Sequence, residues 1–364
     1  MGAPDRGSPA RPPPGRARPH LARLGPPQPD RPRLGGPGPG ADRPVDRTAR
    51  RLRPPTGPGD PARRLTRRGK QPTAPTRTLG RVDGKVVLVT GGNAGIGKET
   101  AIALARLGAR VLITSRDPRR GAEAIEEIHT RSSSASAEVV PLDLADLASI
   151  DACAAAVQDR TDRLDVLVDN AGLMLSQRTE TRDGFETTFG VNHLGHFCLT
   201  GRLVGLLRHG APARVVVVAS HAHKVARRGL DFDDLQSTRH YRGFSAYARS
   251  KLANVLFTLE LARRLSGTGV TANAVHPGYV NSRFGRDGDG YERVISLGGR
   301  LLAISPERGA ATSVYLASSN AVDGATGGYY ARGRPAAVSR AGRDDVAARR
   351  LWATSEQLVG PFGP

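Results

Sequence analysis

The chain of 364 residues holds few of the residues that staple small extracellular folds or carry a chain through a bilayer. It has two cysteines, Cys153 and Cys198, each inside a stretch of helical pattern. Small buried thiols in a reducing cytosol explain both, so neither a disulfide framework nor a metal site is expected. No stretch approaches the roughly 18–20 apolar residues a membrane span requires. Cytoplasmic localisation is therefore the expectation. Aromatic residues make up only 4% of the sequence, and residues 1–80 have none. Nucleic-acid binding by that stretch is thus disfavoured, because no ring is available for base stacking.

What residues 1–80 do contain is proline and positive charge. They carry 19 of the 27 prolines and 18 Lys+Arg against 5 Asp. The net charge of +20 therefore divides into +13 for this leader and +7 for the rest. Runs such as Arg11-Pro12-Pro13-Pro14 and Gly35-Gly36-Pro37-Gly38-Pro39-Gly40 cannot bury enough apolar surface to offset the entropy of ordering. The leader reads as disordered chain, of the kind a start codon set too far upstream would add. Arg50-Arg51 imitates a twin-arginine pair, but no apolar segment follows it, so a secretion signal ranks last.

From residue 81 to 364 the pattern is that of one α/β domain. Strand-length apolar runs occur at Lys85–Thr90, Arg110–Thr114, Glu138–Leu142, Leu164–Val168, Arg214–Ala219 and Thr271–Val275. Between them lie helical segments, one closed by Gly108 and another opened by Asp117-Pro118. Strand–helix alternation of this kind predicts a doubly wound parallel sheet, a Rossmann fold.

Two places on that sheet carry chemistry. After the first strand comes Thr90-Gly91-Gly92-Asn93-Ala94-Gly95-Ile96-Gly97, leading directly into a helix. Gly91 permits the tight exit, Gly95 a close approach to pyrophosphate, and Gly97 close packing of helix on sheet, while the helix N-terminus attracts phosphate. At the end of the second strand an NAD site wants a carboxylate for the ribose. Here Thr114-Ser115-Arg116 stand instead, and Arg116 suits a 2′-phosphate. NADP, with NADPH preferred over NADH, is the expected cofactor. Asp143, with Leu144 beside it, is placed to meet the adenine.

At the other place Tyr247 and Lys251 are spaced i, i+4 on one helix face. A neighbouring ammonium and a cationic nicotinamide favour phenolate, so the phenol's pKa is expected to fall toward neutrality. Ser220, at the end of the fifth strand, can hydrogen-bond a substrate oxygen. Asn192, in a helix facing the core, needs partners, and a water linking it to Lys251 would serve.

These residues resemble the short-chain dehydrogenase/reductase family, across essentially all of residues 83–360. The match lies in Thr90–Gly97, Asp143, Asp169-Asn170-Ala171-Gly172, Asn192, Ser220, the Tyr247/Lys251 pair and His276-Pro277-Gly278-Tyr279-Val280. Asp183–Glu186, Val191–Phe197 and Ser250–Phe257 are most similar to the retinol dehydrogenase-like branch. The resemblance implies a catalytic tetrad of Asn192, Ser220, Tyr247 and Lys251, with Lys251 also on the nicotinamide ribose. It implies Asn170, Ala171 and Gly172 along the cofactor cleft, and Pro277, Gly278 and Val280 at the nicotinamide. It suggests a homo-oligomer through the long helices.

The sequence departs from the family in three ways. Asp169 replaces the usual Asn, no membrane anchor is seen, and the polar segment Asn281–Ile304 leaves retinoid specificity untransferred. His193 and His196 read as helix packing, His221 and His223 as a solvated loop, and Trp352 as the anchor of a terminal helix. The function expected is reduction of a small apolar aldehyde or ketone, or oxidation of the alcohol, with Tyr247 as acid and base. The competing reading is a catalytically silent NADP-binding sensor or scaffold.

Overall fold

The computed structural model describes residues 79–133, 136–279 and 304–363. The chain divides at Gly69/Lys70 into two units, and every described residue falls in the second. The leader expected to be disordered therefore lies, through residue 78, outside the described residues.

The sheet begins with β1 (Val86–Val89), β2 (Arg110–Ser115), β3 (Ala137–Pro141) and β4 (Val166–Asp169). It continues with β5 (Ala213–Val218) and β6 (Val270–His276), so each of the six apolar runs forms a strand. Two short strands not anticipated from the sequence, β7 (Tyr329–Ala331) and β8 (Arg334–Pro335), complete it. The order is β3-β2-β1-β4-β5-β6-β7-β8, with only the β7–β8 pair antiparallel. The unbroken Val and Leu runs follow from burial on both faces. Leu88, Leu112, Leu167, Val215 and Val217 face one side, while Val87, Val89, Ile113, Val168 and Val216 face the other.

Helices cover both faces. The second set of strand residues packs under α1 (Gly95–Arg106) and α2 (Pro118–Ser132). The first set packs under α3 (Leu147–Gln158), under α5 (Gly195–His209), which is entered through the short α4 (Thr187–Phe189) and a π turn at Gly190–Leu194, and under α6 (Gly243–Arg264). Late in the chain, α7 (Pro306–Ser318) joins the α1 face and α8 (Asp345–Val359) the α6 face. The sequence signals for helix ends hold in detail. The Asp117 carboxylate accepts the Arg120 N–H at 3.2 Å to cap α2, with Pro118 in its first turn. Gly108 turns with φ +96°, where a Cβ would stand 2.3 Å from an Asp83 carboxylate oxygen. Among the described residues no helix is long and apolar enough to cross a membrane. Cys153 and Cys198 are free and buried, and burial pushes their thiols up to about 12 and about 11.

Because β1 and β4 are neighbours whose chains leave toward opposite faces, a crevice opens at their carboxyl ends. The C-terminal helix supports the face beneath it. Trp352, on α8, is 2% exposed and meets the rings of Phe197, Phe257 and Phe362 at centroid distances of 4.9, 5.9 and 4.5 Å. The Arg264 guanidinium lies over the indole at 4.4 Å. Replacing Trp352 with Ala should cost about 3–5 kcal/mol in urea unfolding. Trp352→Phe should lose much less, because the indole N–H has no hydrogen-bond partner to forfeit.

Candidate active site

The glycine turn is held by one hydroxyl. Thr90, at the end of β1, accepts the backbone N–H groups of Asn170 at 2.8 Å and Ala171 at 3.0 Å. The Asn170 side-chain amide returns to the Thr90 carbonyl at 2.8 Å. Asn170 and Ala171 thus lie against the turn, and part of Asn170's task is to pin it. Gly97 sits so close that a Cβ there would stand 2.4 Å from the Asn170 amide nitrogen and from the Gly91 carbonyl oxygen. Ala94, which starts α1, offers no capping side chain, so the first-turn N–H groups are available to a ligand. A helix N-terminus with no side-chain cap, set beside a glycine turn, suits the pyrophosphate of a dinucleotide. Asn93, Gly95 and Ile96 form the floor and rim of this cradle, all half-buried.

The Thr114 hydroxyl accepts the Gly91 N–H at 3.1 Å, and the Ser115 hydroxyl donates to the Asp117 carbonyl at 2.7 Å. Both are occupied with local structure. Arg116 is exposed and engages no side chain among the described residues, and Asp117 is taken up in capping α2. Asp143 is half-buried, its carboxylate accepting the Ala145 N–H at 3.0 Å. Leu144 corrects the expectation for its side chain, which is 7% exposed and packs against Gly195 in the core rather than in the cleft. Pro277 and Gly278 follow β6 directly, Gly278 with φ +104°. Val280 lies outside the described residues, as does the segment 281–303.

At the chemical end Tyr247 and Lys251 come from successive turns of α6, with Nζ 5.8 Å from the phenol ring centroid. Ser220 and Tyr247 share a side-chain hydrogen bond. Lys251 is 3% exposed and donates to the Val218 carbonyl at 2.9 Å, so the lysine is fixed to β5. Burial lowers it to about 8. Burial pushes Tyr247 up to about 12, against an opposing contribution from Ser220; the fall expected from the sequence counts the charge of a bound nicotinamide as well as that of Lys251. Desolvation penalises phenolate and ammonium together, and the lysine's attraction does not overcome it.

Asn192 accepts the Leu173 N–H at 2.8 Å and donates to the Leu173 carbonyl and the Ser250 hydroxyl, both at 2.9 Å, which leaves one acceptor position on its amide oxygen. Asn192 lies in the π turn, a feature with no sequence signal. Asn192 and Lys251 are close. A Cβ on Gly172 would stand 3.1 Å from Asn192 Oδ1 and 3.4 Å from Lys251 Nζ, which is why glycine follows Asn170-Ala171.

Histidines read as packing or loop take more particular places. His196 Nδ1 lies 3.2 Å from the Asn192 carbonyl and its Nε2 2.9 Å from the Thr90 hydroxyl, joining the two halves of the site. His193 Nε2 meets the Ser355 hydroxyl of α8 at 3.0 Å. Burial drives both rings to about 3, so they are neutral. His221 is solvated as expected, stacked on His276 at 3.8 Å, but His223 is fully buried.

A doubly wound parallel sheet with a dinucleotide cradle and a Ser–Tyr–Lys cluster at its carboxyl edge defines a nicotinamide-dependent oxidoreductase. The profile of the family described as short chain dehydrogenase matches residues 85–232 and 234–289. The chain belongs to that family and is an NAD(P)-dependent enzyme acting on CH–OH groups, a carbonyl/alcohol oxidoreductase. It is 43% identical over 298 residues to human retinol dehydrogenase 14, spanning 77% of this chain and 88% of the relative. It is 45% identical over 288 residues to human retinol dehydrogenase 12, spanning 78% and 89%. Among solved structures, an uncharacterized protein from Mycobacterium Paratuberculosis superposes with a TM-score of 0.64 at 35% identity, covering 79% of this chain and 97% of that one. The NADP active-site complex of RhlG from Pseudomonas aeruginosa superposes with a TM-score of 0.55 at 28% identity, covering 69% and 95%.

Asp169 marks where this chain departs from the family pattern. Its carboxyl is 1% exposed, with one oxygen accepting the Thr200 hydroxyl at 3.0 Å and the other unpartnered. Burial raises it from 3.8 to about 8. Between those values the folded chain holds a proton that the unfolded chain has released, so stability falls as pH rises. Asp169→Asn removes this dependence. Its stability relative to the parent should grow between pH 5 and pH 8, by on the order of a few kcal/mol in urea unfolding. An equal difference at both pH values would show that the carboxyl is ionised when buried.

Proposed function

We propose that the protein is an NADP(H)-dependent reductase of small apolar aldehydes and ketones, running in reverse as an alcohol dehydrogenase. The observation that carries the reading is the Ser220–Tyr247 hydrogen bond, set one helical turn from the buried Lys251 at the open end of the glycine cradle. When bound, the reduced nicotinamide supplies a hydride to the carbonyl carbon, and in its oxidised form it adds a positive charge beside the phenol. Ser220 holds the substrate oxygen and orients it toward Tyr247. The Tyr247 hydroxyl gives its proton to the oxygen as the C=O becomes an alcohol, and takes it back in oxidation. A phenol at about 12 carries its proton at working pH and can donate it in reduction. Lys251 is still charged at neutral pH and stabilises the phenolate left after proton transfer. Asn192 fixes the π turn and the Leu173 backbone against which the site is built.

Arg116 and the absence of an acid at the end of β2 support NADP as the cofactor, and RhlG was solved with NADP in its active site. The retinol dehydrogenase relatives support an apolar carbonyl or alcohol as substrate. A panel including octanal and retinaldehyde, followed at the NADPH absorbance band with NADH alongside, tests both points. Tyr247→Phe should lower kcat/KM by about 10²–10⁴-fold while circular dichroism stays unchanged. Full turnover by that variant would refute the assignment. Arg116→Ala should cost about 10- to 100-fold in kcat/KM with NADPH and leave NADH unaffected, since one charge-assisted contact to the 2′-phosphate is lost. An equal loss with both cofactors would remove Arg116 from the 2′-phosphate site.

A further inference from the structure

The turn after Ser220 carries a histidine with both ring nitrogens committed. His223 is fully buried, its Nδ1 2.6 Å from the Ser220 carbonyl oxygen, which also accepts the His223 backbone N–H at 3.1 Å. On the far side of the ring, Nε2 accepts the Ser339 N–H at 3.2 Å. A carbonyl oxygen only accepts and an amide N–H only donates, so the ring is neutral with its proton on Nδ1. Burial keeps its pKa below the usual imidazole range, in line with that form. Protonation would turn an Nε2–H against the Ser339 N–H. The Tyr329 ring stands edge-on at 5.0 Å, leaving His223 little freedom to swing away.

We propose that His223 is a positioning residue, holding Ser220 at the height where its hydroxyl meets Tyr247 by tying the serine carbonyl to Ser339. The proposal rests on the roles given above to Ser220 and Tyr247. Ser220 is gripped at two points, its hydroxyl accepting the Ala222 N–H at 3.1 Å and its carbonyl accepting from the His223 ring. The 3-10 turn His221–Val225 is only five residues long and holds itself weakly. His221 ties it to β6 and β7, its N–H donating to His276 Nδ1 at 3.3 Å and its Nδ1 lying 2.9 Å from the Tyr329 hydroxyl, and the His223 imidazole adds a tie to Ser339. Ser339 is itself fixed, its hydroxyl and its carbonyl both accepting the Gly342 N–H at 3.1 Å. The segment between β8 and α8 therefore reaches the serine through one ring.

The test uses the full chain with NADPH and either octanal or retinaldehyde, whichever turns over faster. His223→Asn places an amide nitrogen near the Nδ1 position and keeps the donation to Ser220. His223→Gln reaches the Nε2 position and keeps only the contact with Ser339, and His223→Leu keeps neither. Each variant breaks the link between the Ser220 carbonyl and Ser339, so each should lose about 10- to 100-fold in kcat with the aldehyde KM and the NADPH Kd unchanged. Nitrogen-15 spectra, with the His223 signal assigned by its loss in the Gln variant, should report a neutral ring protonated at Nδ1 below the usual imidazole titration. A folded Leu variant with parental kcat overturns the proposal. So does a loss in Asn and Gln that only follows their melting temperatures, or a ring protonated at Nε2. If Leu does not fold, the Asn and Gln pair decides. Tyr247→Phe runs in parallel: full activity there sinks the catalytic reading itself, while an inactive Tyr247→Phe beside an active His223→Leu sinks only the positioning role.

Discussion

Two strands that lie side by side and send their chains to opposite faces must be held at a fixed separation if anything is to bind between them. In this protein the Thr90 hydroxyl does that holding. It accepts two consecutive backbone N–H groups at the exit of β4 while standing at the exit of β1, and on its third side it meets His196 from α5. A hydroxyl is suited to the place because it accepts two bonds and donates one. Valine, its near isostere, would strand two amide groups in a crevice where water cannot replace the lost bonds without occupying the site. The glycines matter because of this clamp. With β1 and β4 pinned, Gly97 has no room for a side chain, and the cradle is small because its walls are drawn together.

Burial then governs the electrostatics on the far side of the crevice. Tyr247 and Lys251 are each pushed toward their neutral forms, to about 12 and about 8. A phenol and an amine so placed are poised for a charge that has yet to arrive. In the low effective dielectric of the site, a nearby positive charge acts over several ångströms with far more force than in water. The lysine alone does not offset the desolvation; the fall in the phenol's pKa expected from the sequence needs the nicotinamide's charge as well.

The architecture was legible because parallel strands covered on both sides leave an unmistakable mark. Val86-Val87-Leu88-Val89 and Val215-Val216-Val217-Val218 are apolar at every position, and no surface strand needs that. The cradle and the Tyr247/Lys251 pair were legible because their spacing along the chain is also their spacing in space. Asn192, Leu144 and His223 were not. Their partners are Leu173, Gly195 and Ser339, which only tertiary folding brings near, and the π turn that aims Asn192 has no residue preference to betray it. β7 and β8 are three and two residues long and lie at the sheet edge, below the length at which alternation can be seen.

The C-terminal segment is an integral part of the site. Asn192 is followed by His193, which donates from Nε2 to the Ser355 hydroxyl, since that hydroxyl already donates to the Leu351 carbonyl at 2.8 Å. Ser220 is followed after two residues by His223, which accepts from Ser339. Two polar residues of the cleft are thus each braced, through a neutral imidazole, against the last part of the chain. Imidazole suits the task because it spans about the width of a helix–loop gap and can present a donor on one edge and an acceptor on the other. It does so only while uncharged, and burial enforces that: the ordinary value of 6.5 falls to about 3 for His193, and His223 moves the same way. Trp352, on the same helix as Ser355, seats that helix against Phe197 and Phe257, so the packing of the terminal helix and the brace on His193 are built from one element.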